Sequence, residues 1–431
     1  MATRTISALR EPPVEQQHKS RLSLPKNRHY FSTTRRQASS TANLEDDDLD
    51  ESSTSNAATA TETTTTTHAS DEPPLHVPYS EYLHPDKLNN GTIPYPEALS
   101  PSAIMEFKKC PQSFLFQYLY KIKQPTSQAL AKGSMCHSAL ENIFDLEPED
   151  RTLEHLQNFF RSNWSKNRRS DTYRILFERE EGQVPDWDTD AEREWGKSGL
   201  KLLENYYKLE DPRQVVRPNP VKREMWLRAD LSVDPSQGVT AEVSSYNDDD
   251  DTSTCDPDTP TFHVRGIVDR LDMVRARDSG ADSKVCLRIV DYKTGKAPNL
   301  KYSPAMNQQI MEEAFFQLKI YALLLREKGA GRQFEFSPNK MHLRYLRLLY
   351  LTSESGKAIN WDMDMGATEQ ERDALLQEVH QELAQVWMDI VELVSTQDPK
   401  AFVGCDRSFC YCHKCREKFV PGSVWEPKAL P

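Results

Sequence analysis

Apolar residues recur at helical spacing over residues 103–122, behind the capping stretch Ser100-Pro101-Ser102, and predict an amphipathic helix there. A second helix is expected after Lys132-Gly133, carrying Met135, His137, Leu140, Ile143 and Phe144. Helical patterns follow over 153–164 and 189–209, and residues 220–231 read as a strand. The β-branched, apolar runs 262–268 and 285–290 read as adjacent antiparallel strands joined by the polar loop 278–283. A helix over 315–327, a strand over 342–351 and a long helix over 369–394 complete the pattern. This order, helices then strands then helix–strand–helix, predicts an α/β or α+β domain with a mixed sheet.

Composition restricts where that domain lies. Of the 431 residues, roughly the first 90 are poor in core formers, and 44–94 read as a disordered acidic and Thr-rich linker. The domain is expected over 95–425, long enough to bury a large core. It carries a polar, acidic insertion at about 234–261. No apolar stretch approaches the ~20 residues that span a bilayer, so no membrane association is expected. The net charge of −12 does not exclude a nucleic-acid substrate, because much of the acidity lies in the tracts 45–51 and 248–251. Lys108, Lys109, Lys121 and Lys123 remain available to contact phosphates. Residues 1–43 hold eight Lys or Arg against two Glu, with many Ser and Thr. That composition resembles a mitochondrial presequence, with a plastid transit peptide as the alternative.

Chemistry concentrates where the strands end. Asp269 follows one apolar run and Asp291 the other, and period-two alternation puts Lys293 on the face of Asp291. If the strands pair, two carboxylates and an amine converge, the parts needed to hold a divalent metal and orient a water for phosphodiester hydrolysis. Asp-x-Lys alone is a weak signal. The wider pattern is more specific: Gly133-x3-His137, Gly266-x2-Asp269-Arg270-x-Asp272, Asp291-x-Lys293-Thr294-Gly295 and Gln317-x3-Tyr321.

In this order and context the pattern resembles the RecB-like branch of the PD-(D/E)XK nuclease superfamily, over about 99–419. The resemblance implies a restriction-endonuclease-like core with a mixed central sheet flanked by helices. It implies that Asp269 and Asp291 bind Mg²⁺ or Mn²⁺, with His137 and the Tyr292 carbonyl as further ligands. Lys293 would orient or activate the attacking water. Gln317 and Tyr321, four residues apart, share one helix face near the site. Glu224 matches an acidic position that assists metal or water; its bland reading is a solvated strand charge. Arg270 and Asp272 are expected to be structural or peripheral.

Four of the eight cysteines crowd the C-terminus as Cys405-x4-Cys410-x-Cys412-x2-Cys415, and Cys110 lies far upstream. Clustered cysteines of this kind argue for a metal rather than disulfides. AddB-type members of the same branch use one upstream and three C-terminal cysteines to hold a 4Fe–4S cluster, which is what the resemblance implies here. The spacing departs from the usual Cys-x2-Cys-x5-Cys, so a Zn²⁺ site of Cys405, Cys410, Cys412 and Cys415, with His413 as a further candidate, competes. Cys136 and Cys286 read as buried thiols; Cys255 has no evident role.

The loose phosphate-loop match at 191–198 lacks a glycine-rich loop between strand and helix and continues a helical face, so no ATP site is expected. The expected function is a metal-dependent deoxyribonuclease, an exonuclease of DNA repair, recombination or organelle DNA maintenance, acting on single strands or duplex ends with a helicase supplied in trans. An endonuclease, an RNA nuclease and a non-catalytic scaffold are the rivals.

Overall fold

The computed structural model describes residues 83–179, 186–217, 224–234, 261–276, 285–327, 341–420 and 423. The presequence, most of the linker, the acidic insertion, Cys255 and the loop 278–283 lie outside the described residues. Helix α1 (Pro101–Lys109) starts at Ser100, whose side chain accepts from the Ala103 amide. The single helix expected over 103–122 is broken. Cys110 is extended (φ −162°, ψ 98°), then α2 (Pro111–Phe114) leads into a π turn, Leu115–Leu119. Pro111 is the cause, since a residue before proline is driven out of helical geometry.

Helices α3 (Gln128–Asn142), α4 (Leu153–Asn167) and α5 (Thr189–Leu209) pack on one another. Trp164, Trp187 and Trp195 are buried among them, and α5 runs unbroken through 191–198. β1 (Met225–Ser232) pairs antiparallel with β2 (Thr261–Val268) as a two-stranded ribbon. β3 (Arg270–Arg275), β4 (Val285–Lys296), β5 (His342–Thr352) and β6 (Ile359–Asp364) form a mixed sheet in that order. β4 and β5 are parallel, joined through α6 (Pro304–Glu327), and the outer pairs are antiparallel. α7 (Glu369–Ser395), opened by a capping box at Thr368 and Glu371, and the short α8 (Tyr411–Arg416) complete the fold.

Two expectations change. The run 262–268 does not pair with 285–290; the partner of that strand is β3, because the chain leaves the ribbon at Asp269 and enters the second sheet. Alternation conceals the break because Arg270, Leu271 and Asp272 are all buried, on both faces of β3. The packed chain also includes residues 83–94, short of the expected boundary. Leu83 bridges Phe419 and Val420, and buried Ile93 exchanges hydrogen bonds with Gln397. No helix among the described residues is long and apolar enough to cross a membrane.

Candidate nuclease site and cysteine cluster

Asp269 occupies the break between ribbon and sheet, and Asp291 and Lys293 lie on β4, the central parallel strand. Asp269 Oδ2 accepts from the Tyr292 amide at 2.9 Å, which ties the two carboxylate-bearing segments together. His137 comes from α3, with Nδ1 3.4 Å from the same oxygen. Gly133, one turn earlier, allows this approach: a Cβ there would meet Thr294 Oγ1 at 3.3 Å. Lys293 Nζ donates to Gln317 Oε1 at 2.8 Å, and Gln317 Nε2 donates to Tyr321 Oη at 2.7 Å. The helix α6 begins eleven residues before the expected start at 315, so both residues sit well inside it.

Asp291 is 3% exposed. Lys293 Nζ stands 2.8 Å from its Oδ2, so the ammonium is the charge partner of that buried oxygen. A buried carboxylate is costly unless positive charge offsets its desolvation, and Lys293 does so only in part. Burial above all, and then the Asp269 charge, raise the Asp291 carboxyl to about 6 against the opposing pull of Lys293. At His137 burial opposes the charged form, but the Asp269 hydrogen bond and the two carboxylate charges outweigh it and raise the imidazole. Two carboxylates and one imidazole converging at a buried position fit a hard divalent cation such as Mg²⁺ or Mn²⁺.

Behind Tyr292 lies a set of charges that sequence reasoning treated as peripheral. Arg270, 1% exposed, donates to Tyr292 Oη at 2.8 Å, to Glu210 at 2.7 and 3.0 Å, and to Asp272 at 2.9 Å. Arg288 also reaches Asp272 at 2.9 Å. These contacts hold Tyr292 from its side chain while Asp269 holds it from its amide, so the segment between Asp291 and Lys293 is fixed on both sides. Arg270 and Asp272 were visible as neighbours of Asp269; Glu210 and Tyr206, at the end of α5, carried no signal in the chain. Glu224 is exposed, at φ +28°, immediately before β1 and outside the paired register of the ribbon.

The contact that carries Tyr321 gives a direct test. A Cβ on Gly266 would stand 2.5 Å from Tyr321 Cε1. Gly266→Ala is expected to displace Tyr321, loosen Gln317 and Lys293, and cost about 1–3 kcal/mol of stability as an overpacking change. Thermal unfolding and cleavage rate should both fall, and a wild-type rate in the variant would contradict the Tyr321–Gln317–Lys293 chain.

The cysteine prediction is partly reassigned. Cys110, Cys405, Cys410 and Cys412 bring their Sγ atoms within 4.8 Å of one another. Cys415 is fully buried but outside this group, so the set of Cys405, Cys410, Cys412 and Cys415 is not the one assembled. It lies three residues past Cys412 on α8, a rise of ~4.5 Å along the axis. His413 Nε2 contacts the Cys405 carbonyl oxygen at 2.8 Å and buttresses the loop instead of joining the thiols. The Cys412 thiol, with the Ser113 amide, holds the Cys110 thiol well below its usual range. Arg407 Nε donates to Cys405 Sγ at 3.4 Å. Four thiols, two of them served by such donors, fit a thiophilic metal centre. Because Cys110 closes α1 and opens α2, this group fastens the start of the domain to its end.

Comparison with protein families matches residues 98–418 to the PD-(D/E)XK nuclease superfamily. The chain belongs to that superfamily: it is a nuclease by family, a hydrolase whose substrate is nucleic acid, and its relatives use divalent metals. A search of curated proteins finds no match to the chain.

Proposed function

We propose that the chain is a Mg²⁺- or Mn²⁺-dependent deoxyribonuclease of the RecB-like branch that works as an exonuclease on DNA ends. The observation that carries this reading is the buried Asp291 carboxylate, ion-paired with Lys293 and grouped with Asp269 and His137. Asp269, Asp291, His137 and the Tyr292 carbonyl would hold the ion. When bound, the ion stabilises charge on the phosphate being cut. Lys293 orients the attacking water and offsets the same developing charge. Gln317 holds the Lys293 ammonium in place, Tyr321 holds Gln317, and Glu224 supports the water or the metal from the ribbon end.

Since α5 is a continuous helix through 191–198, that match supports no motor activity, and a helicase in trans would open duplex substrates. Residues 1–43 would direct the protein to mitochondria, the plastid being the other destination such a segment serves, and its task there would be DNA repair, recombination or maintenance. The one-upstream, three-downstream layout of the assembled cysteines supports a 4Fe–4S cluster of the AddB type. A specific observation favours Zn²⁺ as the second reading: sulfurs within 4.8 Å suit one tetrahedral ion at Zn–S of ~2.3 Å.

End-labelled linear DNA and closed circular DNA, each with Mg²⁺ or Mn²⁺, test the main reading. Release of short products from the linear substrate with circles left intact is expected; cut circles would make it an endonuclease. Faster cleavage of RNA would replace the substrate. The raised Asp291 carboxyl sets the pH dependence. Because its folded value of about 6 exceeds its ordinary value of 3.8, the folded metal-free protein binds more protons than the unfolded chain between them. Stability from this group is therefore present at low pH and lost as pH rises through about 6, while metal binding gains over the same rise. Mn²⁺ affinity should fall steeply below pH 6, and pH-independent affinity would show that Asp291 is not a ligand.

A further inference from the structure

β4 and β5 run parallel, and their register matches side chains in rows: Ile289 beside Leu346, Asp291 beside Leu348, Lys293 beside Tyr350. All six lie on one face of the sheet, two residues apart along each strand. Leu346 and Leu348 are fully buried core residues. In the next row β5 changes character and places a tyrosine beside Lys293. Paired strands stand ~4.8 Å apart, so Tyr350 is the immediate β5 neighbour of that lysine. Both strands are close to their carboxyl ends here, where open α/β sheets hold their ligands.

The ring and the hydroxyl of Tyr350 are placed differently. The ring packs edge-on against Trp361 of β6, centroids 5.0 Å apart, and the residue is 7% exposed. Among the described residues the hydroxyl has no hydrogen-bond partner, and its oxygen is not one of those sealed from solvent. A phenylalanine would fill the same space, so the oxygen serves no contact of the fold. It does lie within the field of the site: burial, and then the Asp291 charge, push the Tyr350 hydroxyl up to about 12. Asp269 and His137 occupy the β3 side of β4, and Tyr350 the β5 side. A phosphate has two non-bridging oxygens; a metal on the first side can take one, which leaves the other for a donor on the second.

We propose that Tyr350 is a further catalytic residue, whose hydroxyl donates a hydrogen bond to the non-bridging phosphate oxygen that the metal does not hold. The bond strengthens as negative charge grows on that oxygen during attack by water, so it lowers the barrier more than it tightens substrate binding. The phenol keeps its proton throughout; its part is charge stabilisation and not acid catalysis. The inference rests on the nuclease reading of the site and goes beyond it by adding a donor from β5.

Cleavage kinetics of the full chain, wild type against Tyr350→Phe, test the assignment on end-labelled DNA with and without a phosphorothioate of known configuration at the bond cut. Tyr350→Phe is expected to lower kcat roughly 10²-fold with KM for DNA unchanged. Because the fold loses no hydrogen bond, the unfolding midpoint and Mn²⁺ affinity should equal those of the wild type. A fall in either would make the hydroxyl structural or part of the metal site and overturn the proposal. Sulfur accepts hydrogen bonds weakly, so the wild type should cut more slowly the diastereomer whose sulfur faces Tyr350. That penalty should shrink in Tyr350→Phe, while the penalty of the other diastereomer stays. A wild-type kcat in Tyr350→Phe, or phosphorothioate penalties the same in both proteins, overturns the proposal and leaves the nuclease reading standing. Wild-type protein that cleaves neither DNA nor RNA with Mg²⁺ or Mn²⁺ overturns both together.

Discussion

Asp291→Ala is expected to lower DNA cleavage by roughly 10³-fold or more while leaving the fold intact or more stable. The two halves of that expectation have one cause. In the metal-free protein the Asp291 carboxylate is 3% exposed, and burial raises its carboxyl to about 6 despite the Lys293 ammonium beside it. A carboxyl raised in this way costs stability when it ionises. Removing it should therefore leave the unfolding midpoint of the metal-free protein unchanged or raised, while removing added stability from Mg²⁺ or Mn²⁺. A conserved midpoint with wild-type cleavage would place the site elsewhere; a collapsed midpoint would show that Asp291 is structural.

The second large effect concerns the cysteines. Cys110→Ser and Cys412→Ser should each lose bound metal, and the loss should appear as a fall in stability, because the centre joins Cys110 at the α1–α2 break to the C-terminal loop. Cys415→Ser should keep its metal, since that thiol stands outside the group. Metal and acid-labile sulfide measured on anaerobically purified protein read all three variants. Iron with sulfide in the wild type supports the cluster, and stoichiometric zinc supports the tetrahedral ion. Metal lost from Cys415→Ser but kept in Cys110→Ser would reverse the assignment.

The chain made some of this legible and concealed the rest. Asp291 and Lys293 shared a face by strand alternation and Gln317 and Tyr321 by one helical turn, while Asp269 stood out at the end of an apolar run. His137 was assigned to the site only through the family resemblance. The structure brings all six into one connected group. Pairing was not legible, because β3 follows β2 with only Asp269 between them and carries Arg270 and Asp272, charged residues that are buried in the fold and carry no apolar strand pattern. Nor was the cysteine set. Cys110 was separable from Cys136 only by resemblance, and choosing between Cys405 and Cys415 depends on a loop and one turn of α8 that no spacing encodes. Glu210, part-buried against Arg270, gave no signal at all; its role arises from contact between the end of α5 and β3, distant in the chain.

Mn²⁺ binding followed by electron paramagnetic resonance at neutral pH, on wild type and Asp291→Asn, tests the central claim most directly. The asparagine keeps the shape of the side chain and removes its charge. Saturable Mn²⁺ binding in the wild type, over the concentrations that support cleavage, and its loss in Asp291→Asn are the predicted results. Equal Mn²⁺ binding in the two proteins would contradict the account.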